Sequence, residues 1–163
     1  MVKNKYQNSS KKKVILITGT SKGIGHHLVN YYIKKNYTVI GCSRTQNKLK
    51  DRNFYHYELD ISDEKKVVKM FIEIRKKFKK LDVLINNAGV ASMNHSLLTP
   101  MSTVKKILST NIEGLFLMSR EASKIMQNKK FGRIINFSSV AAPLNLEGEA
   151  IYAASKSAVV SLT

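Results

Sequence analysis

The chain has 163 residues, 43% of them hydrophobic, with 28 Lys and Arg against 11 Asp and Glu and hence a formal net charge of +17. That length suffices for one domain with a sizeable core, and no apolar run approaches the roughly 18 residues that a membrane span needs. The N-terminus, MVKNKYQNSSKKK, has no apolar stretch of the secretory kind, and the lone Cys42 excludes an internal disulfide framework and suits a reducing cytoplasm.

The charge does not spell out a nucleic-acid site. The cations lie on predicted helix faces and chain ends, as with Lys34, Lys35, Lys76, Lys77, Lys129 and Lys130. They form no stripe interleaved with aromatics and no recognised nucleic-acid motif. They read as solvated surface with some steering of an anionic ligand. No specific nucleic-acid partner and no membrane partner is expected. Residues 1–12 read as a basic flexible tail.

From Val14 the chain alternates strand-like and helix-like segments. VILIT (14–18) is a continuous apolar run closed by Gly19, the pattern of a buried parallel strand. A helix is predicted from Ile24 to Asn36, with Ile24, Leu28, Tyr31 and Tyr32 on one side. TVIGCS (38–43) and FYHYELD (54–60) are the second and third strands, and Cys42 fits a small core position in the second. Ser62-Asp63-Glu64 opens the next helix with acids where the helix dipole favours them. Val67, Val68, Phe71, Ile74 and Phe78 follow its period. LDVLIN (81–86) is the fourth strand, and residues 86–100 read mainly as loop. Helical pattern resumes after Pro100 and continues to Met126, with an interruption expected near Asn111 or Gly114. RIINFS (133–138) is the fifth strand. A loop holding Pro143 and Gly148 leads to a last helix from about Ile151. The alternation predicts a doubly wound α/β parallel sheet of the Rossmann kind.

Gly19, Gly23 and Gly25 stand between the first strand and the first helix. There they let the backbone turn sharply and approach a pyrophosphate, while the helix start offers unpaired N–H groups. Ser21 and Lys22 add side chains to this cradle, and Ile24 lies within it. The end of the second strand reads Ser43-Arg44-Thr45, without the carboxylate that takes both ribose hydroxyls in NAD sites. Ser43 can donate a hydrogen bond and Arg44 can fork onto a 2′-phosphate, with Lys22 as a second cation. NADP is therefore the expected cofactor ahead of NAD, although Arg44 also reads as one more surface cation in a basic chain.

Near the C-terminus Ser139, Tyr152 and Lys156 have the spacing S-x12-Y-x3-K. A phenol ordinarily has a pKa near 10, and an adjacent ammonium favours its ionised form. Tyr152 and Lys156, four apart on a helix, share a face. The serine at the strand end would orient a substrate oxygen. A lysine-rich chain makes Y-x3-K by chance, and Tyr31 with Lys35 repeats it, but without a serine thirteen residues earlier. Ser138 adjoins Ser139, and the thirteen-residue offset selects Ser139. The four histidines show no metal-ligand spacing. His95, in the loop, could touch substrate or be an ordinary loop residue.

TGTSKGIG (18–25), NNAG (86–89), Asn111 and S-x12-Y-x3-K, in that order, resemble the short-chain dehydrogenase/reductase family. The resemblance is to its one-domain form and to 3-oxoacyl-carrier-protein reductases in particular. It covers residues 13–163, which it implies are a dinucleotide-binding and catalytic domain. It implies oxidoreduction between a carbonyl and a secondary alcohol on a small or carrier-bound substrate, and a homodimer or homotetramer. It implies that Asp60 and Ile61 receive adenine and that Asn87 and Gly89 floor the adenosine site, with bracing of the sheet as the alternative role for Asn86. The resemblance further implies that Tyr152 and Lys156 belong to the cofactor site as well as to the catalytic set, with Lys156 on the nicotinamide ribose hydroxyls. Asn111, with Gly114, would hold a proton-relaying water. The family's domain continues with two further strands, so the resemblance also implies a fragment, lacking its last strands and feebly active. The alternative it leaves open is an inactive remnant that binds nucleotide or an oligomer partner without turnover.

Overall fold

The computed structural model of the protein describes residues 12–163, and the predicted basic tail lies outside the described residues except for Lys12. Five strands form one parallel sheet: β1 (Val14–Thr18), β2 (Thr38–Ser43), β3 (Phe54–Glu58), β4 (Val83–Asn86) and β5 (Arg133–Asn136). Their order is β3-β2-β1-β4-β5. β1 lies at the centre, with Leu16 beside Ile40 on one flank and Leu84 on the other. All five residues of β1 are buried, as expected of a strand covered on both faces.

The two-residue period of the strands sorts the core into two layers. Val14, Leu16, Ile40 and Leu84 face α2 (Glu64–Phe78) and α4 (Leu115–Gln127), meeting Phe71, Ile74 and Met118. Ile15, Ile17, Val39 and Ile85 pack on the other side with Val29 of α1 (Gly23–Lys34). The Asp63 carboxylate caps α2 by accepting the Lys66 N–H at 3.1 Å, and Lys79 ends it in the left-handed region at φ 59°. Asp63 is a residue type that favours a helix start, whereas Lys79 fills a left-handed position that glycine or asparagine more often takes.

Two sequence expectations change. The inward face of α1 is Gly25 and Val29, with Leu28 and Tyr32 beside them. Ile24 is 59% exposed and Tyr31 47% exposed. Gly25 must face inward because its backbone lies against Gly19 O. Leu28, Val29 and Tyr32 then follow it, while Ile24 and Tyr31 fall about 100° away. Pro143, expected in loop, stands in α5, a single turn over Ala141–Leu144. An early-turn proline costs a helix no hydrogen bond. The loop at 86–100 contains a 3-10 turn at Ser96–Leu98.

The expected interruption near Asn111 and Gly114 is a π turn over Ser109–Gly114, between α3 (Met101–Leu108) and α4. A side chain at Gly114 would lie 2.8 Å from Ile61 Cγ1. The helix can therefore rest on the end of β3 only with glycine there. α6 spans Ala150–Ser161. No described helix is long and apolar enough to cross a membrane.

Candidate active site

β1 has β2 on one side and β4 on the other, so the chain leaves the central strands in opposite directions. A crevice opens at their carboxyl ends. Its base is tied together by short contacts. Thr18 Oγ1 accepts the N–H groups of Asn87 and Ala88 at 3.0 and 2.8 Å, and Asn87 Nδ2 donates to Thr18 O at 2.9 Å. Gly19 sits at φ +72°, and a Cβ there would lie 2.9 Å from Ala88 Cα. No other residue type meets both conditions. α1 begins just beyond with no side-chain cap and no acidic residue in its first turn. Its first N–H groups are thus open toward an anion.

A cavity of about 490 Å³ runs from this turn across the ends of β2 and β3. Nine of the residues predicted to hold a dinucleotide line it: Gly19, Ser21, Lys22, Ser43, Arg44, Asp60, Ile61, Asn87 and Gly89. Gly23, Ile24, Gly25, Tyr152 and Lys156 do not. Gly25 supports the turn from behind. Asp60 Oδ1 accepts both the N–H and the hydroxyl of Ser62, which fixes the carboxylate at the cavity wall. Thr45, Leu59, Val90 and Thr110 also line the cavity. Sequence reasoning missed them, because they adjoin the motif positions without belonging to a motif. The glycine turn that only a missing Cβ allows, the open helix start and the cavity's cations fit the phosphates of a dinucleotide.

Asn86 and Asn87 take different roles. Asn86 Nδ2 donates to Ser119 Oγ at 2.9 Å and to Asn136 Oδ1 at 2.8 Å. It braces β4 against β5 and α4, as the alternative reading of that residue held. Asn47 is a further buried amide that no motif announced. Its Nδ2 donates to Thr20 O at 2.8 Å and its Oδ1 accepts the Leu49 N–H at 2.9 Å. It holds the segment after β2 against the glycine turn.

Two of the predicted catalytic residues, Asn111 and Lys156, stand beside Gly89. A Cβ at Gly89 would lie 3.4 Å from Asn111 Oδ1 and 3.6 Å from Lys156 Nζ. Asn111, buried in the π turn, accepts the Val90 N–H at 2.9 Å. It donates to Val90 O at 2.9 Å and to Ser155 Oγ at 3.0 Å. Ser155 Oγ in turn donates to Tyr152 O at 2.7 Å. One amide thus joins the β4 loop to α6, and Ser155 is the member of this chain of contacts that sequence reasoning missed.

Lys156 is only 6% exposed, and its ammonium donates to Phe137 O at 2.7 Å. Among the described residues it forms no ion pair. Burial pushes its amine below the ordinary lysine range. Its Nζ lies 5.9 Å from the centroid of the Tyr152 ring. The two adjacent serines differ. Ser138 Oγ donates to the Lys156 carbonyl at 3.1 Å and so pins α6. Ser139 Oγ accepts the Ala141 N–H at 3.2 Å, an arrangement that leaves its proton available. The decoy pair behaves as surface: Lys35 Nζ stands 5.8 Å from the Tyr31 ring on the exposed side of α1.

Residues 13–163 match the family model described as short chain dehydrogenase. The chain is 32% identical over 155 residues to a 3-oxoacyl-[acyl-carrier-protein] reductase FabG of Buchnera aphidicola subsp. Schizaphis graminum, covering 91% of this chain and 64% of that protein. To the FabG of Escherichia coli strain K12 it is 28% identical, covering 93% and 64%. The chain thus spans about 64% of the length of these curated relatives. Among solved structures, ElxO with NADP bound superposes at a TM-score of 0.88 with 35% identity, covering 93% of this chain and 65% of that one. A 4-hydroxyisoleucine dehydrogenase complexed with NADH superposes at 0.87 with 30% identity, covering 93% and 66%.

The Asn111 contacts carry a stability prediction. Asn111→Leu keeps the branched side-chain shape but removes both hydrogen bonds to the half-buried Val90 backbone. It should lower unfolding free energy by roughly 1–3 kcal/mol, about 0.5–1.5 for each of the two Val90 hydrogen bonds. Urea denaturation measures this, and a loss below about 1 kcal/mol would show that these bonds do not hold the site together.

Proposed function

The chain belongs to the short-chain dehydrogenase family, and from that premise we propose that it is an NADP(H)-dependent oxidoreductase that interconverts a carbonyl and a secondary alcohol. The observation that carries this reading is the buried Lys156 amine, which has no ion-pair partner among the described residues, beside Tyr152 and the Gly89 edge of the crevice. A buried cation without a structural counter-charge is costly. A role for that charge in the site accounts for its retention.

In this reading the glycine turn and the start of α1 hold the pyrophosphate, and Asp60 and Ile61 flank the adenine. When bound, the nicotinamide supplies the hydride in the reducing direction. Ser139 Oγ–H donates to the carbonyl oxygen and orients it. The Tyr152 hydroxyl transfers its proton to that oxygen as the alkoxide forms, and Lys156 Nζ stabilises the phenolate left behind. Asn111, held by Val90 and Ser155, positions a water on the Lys156 side that returns a proton.

Preference for NADP(H) rests on Arg44 and Lys22 in the cavity wall and on the absence of a carboxylate from Ser43-Arg44-Thr45. The substrate class we infer is a 3-oxoacyl thioester, small or carrier-bound. The similarity to FabG proteins supports it, as do the exposed apolar side chains Met93, Leu97, Leu98 and Leu144. Exposed Phe116 on α4 and Val160 on α6 support assembly into a homodimer or homotetramer, and a cytoplasmic location fits the same reading.

Fluorescence titration should show tighter binding of NADPH than of NADH. Arg44→Asp should abolish the preference, at a loss of about 1.5–3 kcal/mol in NADPH affinity, the size of a charge-assisted hydrogen bond. Equal affinities in the unmodified protein would sink the cofactor assignment.

Assayed with a 3-oxoacyl thioester, Tyr152→Phe should remove nearly all reduction while NADPH affinity stays within a few-fold, because the phenol oxygen serves the chemical step. Tyr31→Phe should leave turnover intact. Loss of turnover in Tyr31→Phe but not in Tyr152→Phe would mean that the reacting tyrosine has been misplaced.

A further inference from the structure

Ser43, at the end of β2, stands between two partners. Its Oγ is 2.8 Å from Thr45 O and 2.8 Å from His56 Nε2. A serine hydroxyl carries one proton and a carbonyl carries none. Both contacts are therefore hydrogen bonds in only one arrangement: Ser43 Oγ–H donates to Thr45 O, and His56 Nε2–H donates to Ser43 Oγ. The proton expected from sequence to meet a cofactor phosphate is thus already used within the turn. The tautomer of His56 follows from the same count. Burial holds His56 below the ordinary histidine value, with Glu58 opposing, and so favours a neutral ring.

This relay closes the Ser43–Thr45 turn directly over Arg44. Arg44 is exposed, lines the cavity and forms no ion pair among the described residues. Its aim therefore depends on the backbone that carries it. That backbone is gripped from the neighbouring strand, where His56 pairs with Gly41 in the β2–β3 register. His56 itself is outside the cavity lining, so any effect it has on a ligand passes through Ser43.

We propose that His56 is a positioning residue for nucleotide selectivity, holding the Ser43–Thr45 turn in the shape that presents Arg44 to a 2′-phosphate. The proposal rests on the NADP(H) reading above and adds to it a residue that touches no part of the cofactor. It separates selectivity from general nucleotide affinity, because the glycine turn and the start of α1 are not part of the relay.

The test is a pair of fluorescence titrations, with NADPH and with NADH, on the unmodified protein and on His56→Leu, His56→Gln and Arg44→Asp. His56→Leu removes the donor. It should weaken NADPH binding about tenfold, the size of one net hydrogen bond, and leave NADH within twofold. His56→Gln places an amide N–H where Nε2–H stood and should restore most of the NADPH preference. Should the leucine variant fail to fold, His56→Asn takes its place: too short to reach Ser43, it should lower the preference that His56→Gln keeps. An unchanged NADPH to NADH ratio in His56→Leu or His56→Asn overturns the proposal, as does an equal loss for both nucleotides. If Arg44→Asp abolishes the preference while His56→Leu retains it, the proposal alone fails. If the unmodified protein shows no preference, the NADP(H) reading fails and the proposal with it.

Discussion

The close approach of Gly19 to Ala88 is the constraint on which the rest of the molecule depends. It brings the ends of β1 and β4 together where the sheet's two halves diverge. Thr18 and Asn87 then lock them with three hydrogen bonds between backbone and side chain. The turn at Gly19 forces Gly25 inward, and Gly25 sets the rotation of α1 on the sheet. The same turn leaves the first N–H groups of α1 facing the crevice. A side chain at Gly19 would press on Ala88 and Asn87, which also line the cavity, so fold and candidate site share one geometric requirement.

On the far side of the crevice the organising group is the Asn111 amide. Its three hydrogen bonds reach Val90 twice and Ser155 once, and they explain why the helix departs from α geometry just there. A π turn widens the backbone and turns a side chain toward a site that regular helix would miss. Gly114 lets that widened segment lie on Ile61. Lys156 is held by Phe137 O from the end of β5. The candidate catalytic groups therefore stand on the π turn, the segment after β5 and α6, and the backbone contacts of Asn111 and Lys156 tie these to the β4 loop and to Phe137.

Much of this was legible in the residues. β1 announces itself as a continuous apolar run, because a strand covered on both faces has no polar side. Tyr152 and Lys156 are readable because a helix turns four residues onto one face. The face of α1 was misread for a physical reason: Gly25 contributes nothing to an apolar pattern yet must be the most inward residue. The brace made by Asn47 and the proton relay from His56 through Ser43 were illegible for another. Each depends on pairing between segments roughly 13 to 27 residues apart, which no local spacing records. The choice between Ser138 and Ser139 rested on an offset, and the structure adds that the Ser138 hydroxyl is tied to the Lys156 carbonyl.

The central claim is that the glycine turn, the end of β2, the end of β3 and the β4 loop act together as one dinucleotide site. Amide hydrogen exchange with and without saturating NADPH tests it most directly, since binding slows exchange where it orders backbone. The account predicts slowed exchange in residues 19–26, 43–47, 59–62 and 87–90, with the outer turns of α2 unchanged. Slowing confined to other segments, or none at saturation, would contradict it.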